Sequence, residues 1–405
     1  KLRNVAQKLK RATKTIIVST PSAKVPDELR DEAVITTLAL PTVPQLDEIL
    51  TPLEKTKGLK NKLTKDGRDR FVQAGLGLTA NQALRAFSRA IVGSEDGLTD
   101  EKSSIIAAEK KQAIRDSQAL EFYNSPETID QVGGLDLLKQ WLRMRERAFG
   151  KEAKDYGLPS PKGIALVGIP GSGKSLTAKM VASLWKLPLL RLDIGALFGS
   201  LIGESEERAR QALKLAEAIS PCVLWLDEIE KGLAHGGLDG GTSMRVFSSI
   251  LTWMQEKQSP CFIVATANDV MALPPEVLRK GRFDEIFFLD LPTKKEREEI
   301  FRVHLLKRNR KAESFDIGKL ADSADGYVGA EIEQAVIEGM YSGFAESREF
   351  TSQDVLTALR RQVPLSISRR EDIEALRVWI KEGRFQPASA REEYLDSKAI
   401  PLRVA

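Results

Sequence analysis

Short apolar runs alternate with amphipathic helical patterns through the middle of the chain. The apolar runs are β-rich and short enough for buried strands, and in most of the intervals between them apolar residues recur at helical spacing. Such alternation is typical of a parallel sheet that is covered by helices on both faces. We therefore predict a three-layer α/β/α domain with strands at Gly163 to Val167, Pro188 to Asp193, Cys222 to Leu226, Cys261 to Ala267 and Ile286 to Leu289.

After Pro292 the pattern becomes helical. Apolar residues recur at spacings of three and four, and capping and turn residues separate the periodic stretches. We interpret residues 292–362 as a helical lid subdomain and residues 363–405 as a C-terminal tail. The predicted helices cover 294–308, 316–324, 330–346 and 352–361 in the lid and 370–382 in the tail.

The N-terminal segment Ile16 to Leu50 resembles a later segment, Phe262 to Ile300. Both contain an apolar run, an acidic stretch after a proline, a second apolar run that ends in Leu-Pro-Thr, and a polar helix start. Internal similarity predicts a duplicated domain, although two unrelated strand-loop-strand stretches would produce the same pattern. We expect residues 1–115 to be the second half of a degenerate nucleotide-binding α/β domain whose first half precedes Lys1, and residues 116–126 to be a connector.

The strand predicted at Gly163 to Val167 leads into a glycine-rich turn and then into a helix. The stretch Gly168 to Ser175 fits the phosphate-binding template G-x-x-x-x-G-K-[ST], although a turn that binds nothing is the alternative. Its glycines allow successive N–H groups to point inward, and the helix N-terminus adds partial positive charge. Lys174 would reach the β- and γ-phosphates, and the Ser175 hydroxyl would ligate Mg²⁺. The expected nucleotide-binding residues are Pro170, Gly171, Ser172, Gly173, Lys174, Ser175 and Leu176.

Two adjacent carboxylates, Asp227 and Glu228, follow the strand predicted at Cys222 to Leu226. A carboxylate at the C-terminal end of a strand beside a phosphate loop can hold Mg²⁺, and we assign that role to Asp227. Glu228 would polarise the attacking water as a general base. Either acid could instead only start a turn. Together with the phosphate loop, the pair predicts Mg²⁺-dependent hydrolysis of a nucleoside triphosphate.

Composition changes this picture little. The 405 residues are 42% hydrophobic and 29% charged, and a formal net charge of +4 does not by itself indicate a polyanionic partner. No apolar run approaches the roughly 18 residues that cross a bilayer, so we expect no membrane association. The two cysteines favour a reducing compartment. Residues 1–14 are basic with one apolar helical face, which is typical of a packed helix with a solvated outer side or of a nucleic-acid contact.

Residues 127–362 resemble an AAA-type ATPase, a family with the same phosphate loop and acidic strand end. The resemblance implies a P-loop α/β subdomain over 127–291, followed by the lid, with ATP and Mg²⁺ as cofactors. Val132 and Gly133 match the segment that lies along the adenine. Asn268 matches the polar sensor that orients the attacking water. The upstream copy lacks a matching asparagine, and we expect it to be catalytically inert.

Four further positions match residues that AAA ATPases use between subunits or with clients. Arg279 and Arg282 match two arginines that act on the γ-phosphate held by the neighbouring subunit. An arginine finger contributes about 10³ to 10⁵ in rate in related NTPases, so the resemblance implies a ring-shaped homo-oligomer, most often a hexamer. Gly329 and Ala330 match the start of a lid helix in the protein-remodelling branch, which implies a protein client, and the resemblance also places both among the nucleotide-binding residues.

We therefore expect a ring-shaped motor or chaperone that remodels a protein client of unknown identity. A nucleotide-gated scaffold with slow hydrolysis is a second hypothesis, because Leu201 replaces the aromatic pore residue of the family and the upstream copy is inert. Nucleic-acid remodelling through the basic first helix is a third, less favoured hypothesis. The upstream copy, lid and tail most resemble an AAA protein of red-algal plastids and cyanobacteria. That resemblance implies a plastid stroma or cyanobacterial cytoplasm and a link to photosynthesis or inorganic-carbon regulation.

Overall fold

A computed structural model of the chain describes most of the predicted ATPase region. The basic helix predicted at 1–14 lies almost wholly outside the described residues, as do most of the predicted connector, Leu201 and the glycine-rich stretch that follows residue 235. The described residues are 13–18, 40–55, 63–92, 97–102, 120–123, 132–194, 204–231, 242–274 and 281–391, together with positions 29, 31, 33, 34, 36, 38, 105, 106, 109, 197, 276, 277 and 279.

Three helices near the N-terminus build a core of their own. They are α1 (Val43–Glu54), α2 (Lys65–Gly75) and α3 (Ala80–Ile91). In the first and third helices the N–H of the threonine before the helix donates to the side chain of a glutamine three residues further on. The N–H of Thr42 donates to Oε1 of Gln45 at 2.9 Å, and the N–H of Thr79 donates to Oε1 of Gln82 at 2.9 Å. The apolar faces of these helices meet in a buried cluster that includes Leu46, Leu50, Phe71, Val72, Ala83 and Phe87.

The strand pair predicted upstream of α1 is not seen at the described positions. Residues 13–18 have no strand hydrogen bonding, and the side chains of Ile17, Val34 and Leu38 are 90%, 93% and 91% exposed. A strand is stable only with paired neighbours and a covered face. No described residue pairs with these positions, so their β-rich composition alone does not produce strands there.

A seven-stranded sheet lies at the centre of the predicted ATPase region, with the order β1-β3-β4-β5-β2-β6-β7. All neighbouring strands are parallel except β1, which pairs antiparallel with β3 at one edge. The predicted strands are confirmed to within one residue at each end, whereas β1 and β7 were not predicted. The strands are β1 (Leu120–Tyr123), β2 (Gly163–Val167), β3 (Leu189–Leu192), β4 (Cys222–Leu226), β5 (Cys261–Ala267), β6 (Glu285–Phe288) and β7 (Gln386–Pro387).

Helices cover both faces of this sheet, as the alternating pattern predicts. The helices are α4 (Asp136–Arg145), α5 (Lys151–Asp155), α6 (Lys174–Leu184), α7 (Glu204–Ile219) and α8 (Thr242–Glu256), with a 3-10 turn at Glu146–Phe149. Neighbouring residues of β4 face opposite layers. Val223 packs with Trp141 of α4 and Val181 of α6, whereas Leu224 packs with Leu213 of α7 and Ile250 of α8. The three-layer α/β/α fold is therefore confirmed.

Four helices form the predicted lid after the last central strand. They are α9 (Lys294–Lys307), α10 (Ile317–Ser323), α11 (Gly329–Ala345) and α12 (Ser352–Arg361), with a 3-10 turn at Ala312–Ser314. Thr293 caps α9 reciprocally with Glu296, at 2.8 Å and 3.3 Å. The lid has a separate buried core that contains Phe301, Leu320 and Val355. None of the helices that the structure describes is long and apolar enough to span a membrane.

The tail returns to the sheet. It contains α13 (Leu365–Ser368) and α14 (Arg370–Lys381) before the short strand β7. Leu376 and Ile380 pack into the core under the sheet. The carboxylate of Asp290 accepts two hydrogen bonds from Arg377, at 3.0 and 3.1 Å, and pairs with Arg391 at 3.1 Å. The predicted tail helix is confirmed, and these contacts anchor it beside the start of the lid.

Candidate active site

The turn between β2 and α6 has the backbone that a phosphate loop requires. Gly171 and Gly173 have φ angles of 80° and 95°, in the left-handed region that favours glycine. A Cβ atom on Gly171 would lie 2.8 Å from Cγ2 of Val328, next to the lid helix α11. A Cβ atom on Gly173 would meet no described atom within 4 Å. Gly173 therefore borders open space at the N-terminus of α6.

The remaining loop residues surround that space. Pro170 is exposed, and the N–H of Ser172 donates to the carbonyl oxygen of Ile169 at 3.3 Å. Ser175 is exposed in the first turn of α6, whereas Leu176 is half-buried against the apolar core. Ser175 is therefore open to solvent at the start of α6, while Leu176 fixes the helix to the sheet.

Lys174 begins α6 and folds back over the loop. Its side chain is buried, and Nζ donates 2.7 Å hydrogen bonds to the carbonyl oxygens of Gly168 and Ile169. Burial lowers the pKa of Lys174 from 10.5 to about 8, although three nearby carboxylates, Glu230 foremost, act to raise it. A bound phosphate would add negative charge beside the ammonium group and raise the pKa again.

Asp227 lies at the end of β4, where hydroxyl groups from two other segments reach it. Oδ1 of Asp227 accepts a 2.7 Å hydrogen bond from Oγ1 of Thr266 and lies 3.4 Å from Oγ of Ser175. A hydroxyl and a carboxylate are oxygen donors of the kind that Mg²⁺ takes in nucleotide sites, where the ion keeps several waters. The donors present therefore fit Mg²⁺, and Ser175 and Asp227 are the residues that would hold it.

Glu228 is held in an unusual backbone conformation. Its φ angle is 47°, which is uncommon for a residue with a side chain and is often found at functional sites. Its N–H donates to Oγ1 of Thr266 at 2.9 Å. Its carboxylate accepts from Nδ2 of Asn268 at 3.0 Å and lies 2.5 Å from Nζ of Lys231. The structure therefore brings the expected base and the expected sensor into direct contact.

Two residues of this cluster were missed by sequence reasoning. Thr266 is buried in the apolar strand β5 and bonds to both acids that follow β4. Glu230 is 8% exposed, and its Oε1 accepts the N–H of Asn268 at 3.0 Å. Its Oε2 has no hydrogen-bond partner among the residues described. Thr266 could have been identified from the sequence, because it is a polar residue within an otherwise apolar strand.

The expected adenine-flanking segment packs against the lid. Val132 is buried, and a Cβ atom on Gly133 would lie 3.1 Å from Cγ1 of Ile300 in α9. The next N–H group, that of Gly134, donates to the carboxylate of Glu299 at 2.7 Å. The position of this segment therefore depends on the position of the lid.

The start of α11 contacts the phosphate loop directly. The N–H of Ala330 donates to the carbonyl oxygen of Gly171 at 3.3 Å. Gly329, the first residue of α11, adds no side chain at this contact. The structure therefore places Gly329 and Ala330 beside the phosphate loop, where lid position and phosphate binding would be coupled.

Arg279 and Arg282 lie apart from this cluster, in the stretch before β6. Arg279 is exposed, and the half-buried Arg282 donates to the backbone carbonyl of Glu276. In the described part of the chain neither arginine bonds to the phosphate loop. Asp284 fixes the stretch, because its carboxylate accepts the N–H groups of Lys162 and Gly163 at 2.7 and 3.0 Å.

Comparison with known families gives two matches on different parts of the chain. The sequence model described as "ATPase family associated with various cellular activities (AAA)" matches residues 164–291, which include the phosphate loop, both acids and Asn268. A model described as "SpoVK-like AAA ATPase, second domain" matches residues 44–117, which include α1 to α3.

Similar proteins cover almost the whole chain. An AAA domain-containing protein, ycf46, of Pyropia yezoensis is 44% identical over 392 residues, which are 96% of this chain and 79% of that protein. Its counterpart in Guillardia theta is also 44% identical, with 96% and 77% covered. A proteasome-activating nucleotidase of Methanopyrus kandleri is 31% identical over 296 residues, with 70% and 64% covered.

Proposed function

Because the chain belongs to the AAA ATPase family, we propose that it is a Mg²⁺-dependent ATP hydrolase that works as a ring-shaped assembly on a protein client. The observation that carries the proposal is the meeting of three sequence-distant segments at one end of the sheet. Lys174 and Ser175 follow β2, Asp227 and Glu228 follow β4, and Asn268 follows β5. The carboxyl end of the sheet would thus supply the groups that phosphoryl transfer to water requires within one subunit.

Each group has a separate task in that reaction. The loop N–H groups and Lys174 would hold the β- and γ-phosphates, and Ser175 with Asp227 would hold Mg²⁺, which neutralises phosphate charge when bound. Glu228 would accept a proton from the attacking water as the oxygen of that water bonds to the γ-phosphorus and the bond from the γ-phosphorus to ADP breaks, which releases ADP and phosphate. Asn268 would orient that water, since its amide already contacts the carboxylate of Glu228 at 3.0 Å.

The test of this assignment separates binding from hydrolysis. Glu228→Gln keeps the side-chain shape but removes the base, so we expect ATP to bind and turnover to fall by about 10² to 10⁴-fold. The measurements are phosphate release at saturating ATP and retention of labelled ATP on the purified protein. Hydrolysis by Glu228→Gln at the rate of the unmodified protein would remove Glu228 from the mechanism.

In this proposal, assembly supplies the positive charge that acts on the γ-phosphate from a neighbouring subunit. Arg279 and Arg282 lie away from their own phosphate loop, so they would act on the nucleotide of a neighbouring subunit in a homo-oligomeric ring, with a hexamer as the expected form. We expect Arg282→Ala to retain nucleotide binding while hydrolysis falls by about 10³-fold or more. Unchanged turnover in Arg282→Ala would contradict action between subunits. So would a turnover per subunit of the unmodified protein that stays constant when the protein is diluted below the concentration at which it assembles.

A second candidate is a nucleotide-gated scaffold with slow hydrolysis. The observation that favours it is the helical unit α1 to α3, whose first and third helices begin, like the lid helices α9 and α11, with a backbone N–H that donates to a side chain three residues further on. The family match at residues 44–117 supports a second, lid-like unit. Substitution of Leu201 discriminates the two candidates: loss of client processing supports a threading motor, and unchanged processing supports the scaffold.

The compartment and pathway are also proposals. Similarity to the proteins of Pyropia yezoensis and Guillardia theta supports a plastid stroma or a cyanobacterial cytoplasm. A link to photosynthesis or inorganic-carbon regulation follows only from the family resemblance. Identification of proteins that co-purify with the ATP-trapped Glu228→Gln assembly from its native extract would name the client.

A further inference from the structure

Asp227 bonds to an arginine, Arg191, that has no assigned task in ATP hydrolysis. Arg191, in the middle of β3, directs its guanidinium group along the sheet to Asp227. Its Nη2 donates to Oδ2 of Asp227 at 3.2 Å, and its Cζ lies 5.1 Å from the ring centroid of Trp225. Nε of Arg191 is buried without a hydrogen-bond partner among the described residues. The permanently charged guanidinium group of Arg191 thus lies against the second oxygen of the carboxylate that is expected to hold Mg²⁺.

Arg191 is also contacted from the opposite side, by the edge strand β1. Glu121 stands directly opposite Arg191 in the antiparallel register, and Oε2 of Glu121 lies 3.5 Å from Nη1 of Arg191. Tyr123 of the same strand packs edge-on against Trp225, with ring centroids 5.9 Å apart. Strand β1 therefore contacts both the arginine and the aromatic ring that supports it.

These two contacts act on Arg191 in opposite directions. Asp227 draws the guanidinium group toward the site, and Glu121 draws it toward the sheet edge. An arginine close to Asp227 occupies one carboxylate oxygen and repels a divalent cation, and both effects weaken cation binding. The same hydrogen bond also fixes the orientation of the carboxylate, which hydrolysis requires.

We propose that Arg191 is a positioning residue that orients Asp227 while lowering the affinity of the site for Mg²⁺, and that Glu121 of strand β1 sets how strongly it does so. This inference rests on the proposed function, because it assigns Mg²⁺ to Asp227.

The signature of this role is a pair of opposite changes. Arg191→Gln should lower the Mg²⁺ concentration for half-maximal binding by about tenfold, since a unit charge near a divalent ion is removed. The same variant should lower kcat by about tenfold, because Asp227 loses its orienting bond. Arg191→Lys keeps the charge and should leave the Mg²⁺ requirement within about twofold of the unmodified protein.

Glu121→Gln should act in the other direction. Without the opposing carboxylate, Arg191 interacts more strongly with Asp227. The Mg²⁺ concentration for half-maximal binding should therefore rise by about twofold. Glu121 is more than half exposed, so this substitution also serves as the variant that folds if Arg191→Gln does not.

The experiment titrates the full chain, loaded with a fluorescent ADP analogue, with Mg²⁺, and it measures kcat for ATP in parallel. Arg310→Gln is the matched control. Arg310 also pairs with an acid, Glu349 at 2.6 Å, and lies over an aromatic ring, Phe350 at 6.0 Å, but it belongs to the lid. The Mg²⁺ concentration for half-maximal binding should be the same in Arg310→Gln as in the unmodified protein.

The outcomes separate this inference from the proposed function. A tighter Mg²⁺ requirement with a lower kcat in Arg191→Gln supports the inference. An unchanged or weaker Mg²⁺ requirement in that variant overturns it, as does a tighter requirement in Glu121→Gln. If the unmodified protein binds the Mg²⁺-nucleotide but does not hydrolyse ATP, the proposed enzyme activity fails, whereas the binding titration still decides the role of Arg191.

Discussion

The hydroxyl group of Thr266 joins the two acids of the candidate active site, so its removal is a sharp test of the geometry. Thr266→Val keeps the branched shape of the side chain and deletes the hydroxyl. In the structure this hydroxyl donates to Asp227 at 2.7 Å and accepts from the N–H of Glu228 at 2.9 Å. The variant therefore loses a hydrogen bond to a carboxylate and leaves one backbone N–H unpaired.

The magnitude follows from these two bonds. A lost bond to a charged group costs about 1.5 to 3 kcal/mol, and an unpaired N–H in a poorly solvated place costs about 1 to 3 kcal/mol. Both acids need their present orientation during hydrolysis, so part of this cost is expected in the activation free energy. We expect kcat to fall by about 10 to 100-fold, which corresponds to about 1.4 to 2.8 kcal/mol.

The assay is steady-state phosphate release at saturating ATP and Mg²⁺, together with thermal unfolding and nucleotide binding. Thr266→Ser restores a hydroxyl and is the matched control, and we expect its kcat to stay within about threefold of the unmodified protein. If Thr266→Val hydrolyses ATP as fast as Thr266→Ser, the hydroxyl does not orient Asp227 and Glu228.

Further predictions concern pH and lid packing. Nucleotide affinity should be constant below about pH 8 and should fall by up to about tenfold per pH unit above it, because the pKa of free Lys174 is about 8 and bound phosphates keep the ammonium charged. Titration with a fluorescent nucleotide checks this, and an affinity that stays constant up to about pH 10 contradicts it. Gly343→Ala should lower the free energy of unfolding by about 1 to 3 kcal/mol, because its Cβ would lie 2.7 Å from the backbone N of Phe350. The control Gly318→Ala, which is also helical but has its nearest atom 3.9 Å away, should unfold at the urea concentration of the unmodified protein or above it.

The sequence alone determined the central strands and the residues of the phosphate loop. Strands β2 and β4 are continuous apolar runs and β5 is apolar except for Thr266, and this pattern is sufficient because parallel strands are buried on both faces. Asp227 and Glu228 could be identified because the pair follows such a run, whereas Asn268 was identified through the family resemblance. Their roles in catalysis stay predictions until the variants above are measured.

Only the tertiary structure decided which side chains meet and which β-rich stretches become strands. Thr266 and Asp227 are 39 residues apart, and Arg191 and Asp227 are 36 apart. No local pattern reports such contacts, because the order of strands in the sheet creates them. Strand β7 has two residues, which are too few to show a period, and β1 lies inside the stretch predicted to be a connector. The described β-rich positions near Ile17 and Val34 form no strand. The physical reason is the same in each case: a strand is stabilised by its neighbours, and the chain acquires those neighbours only when it folds.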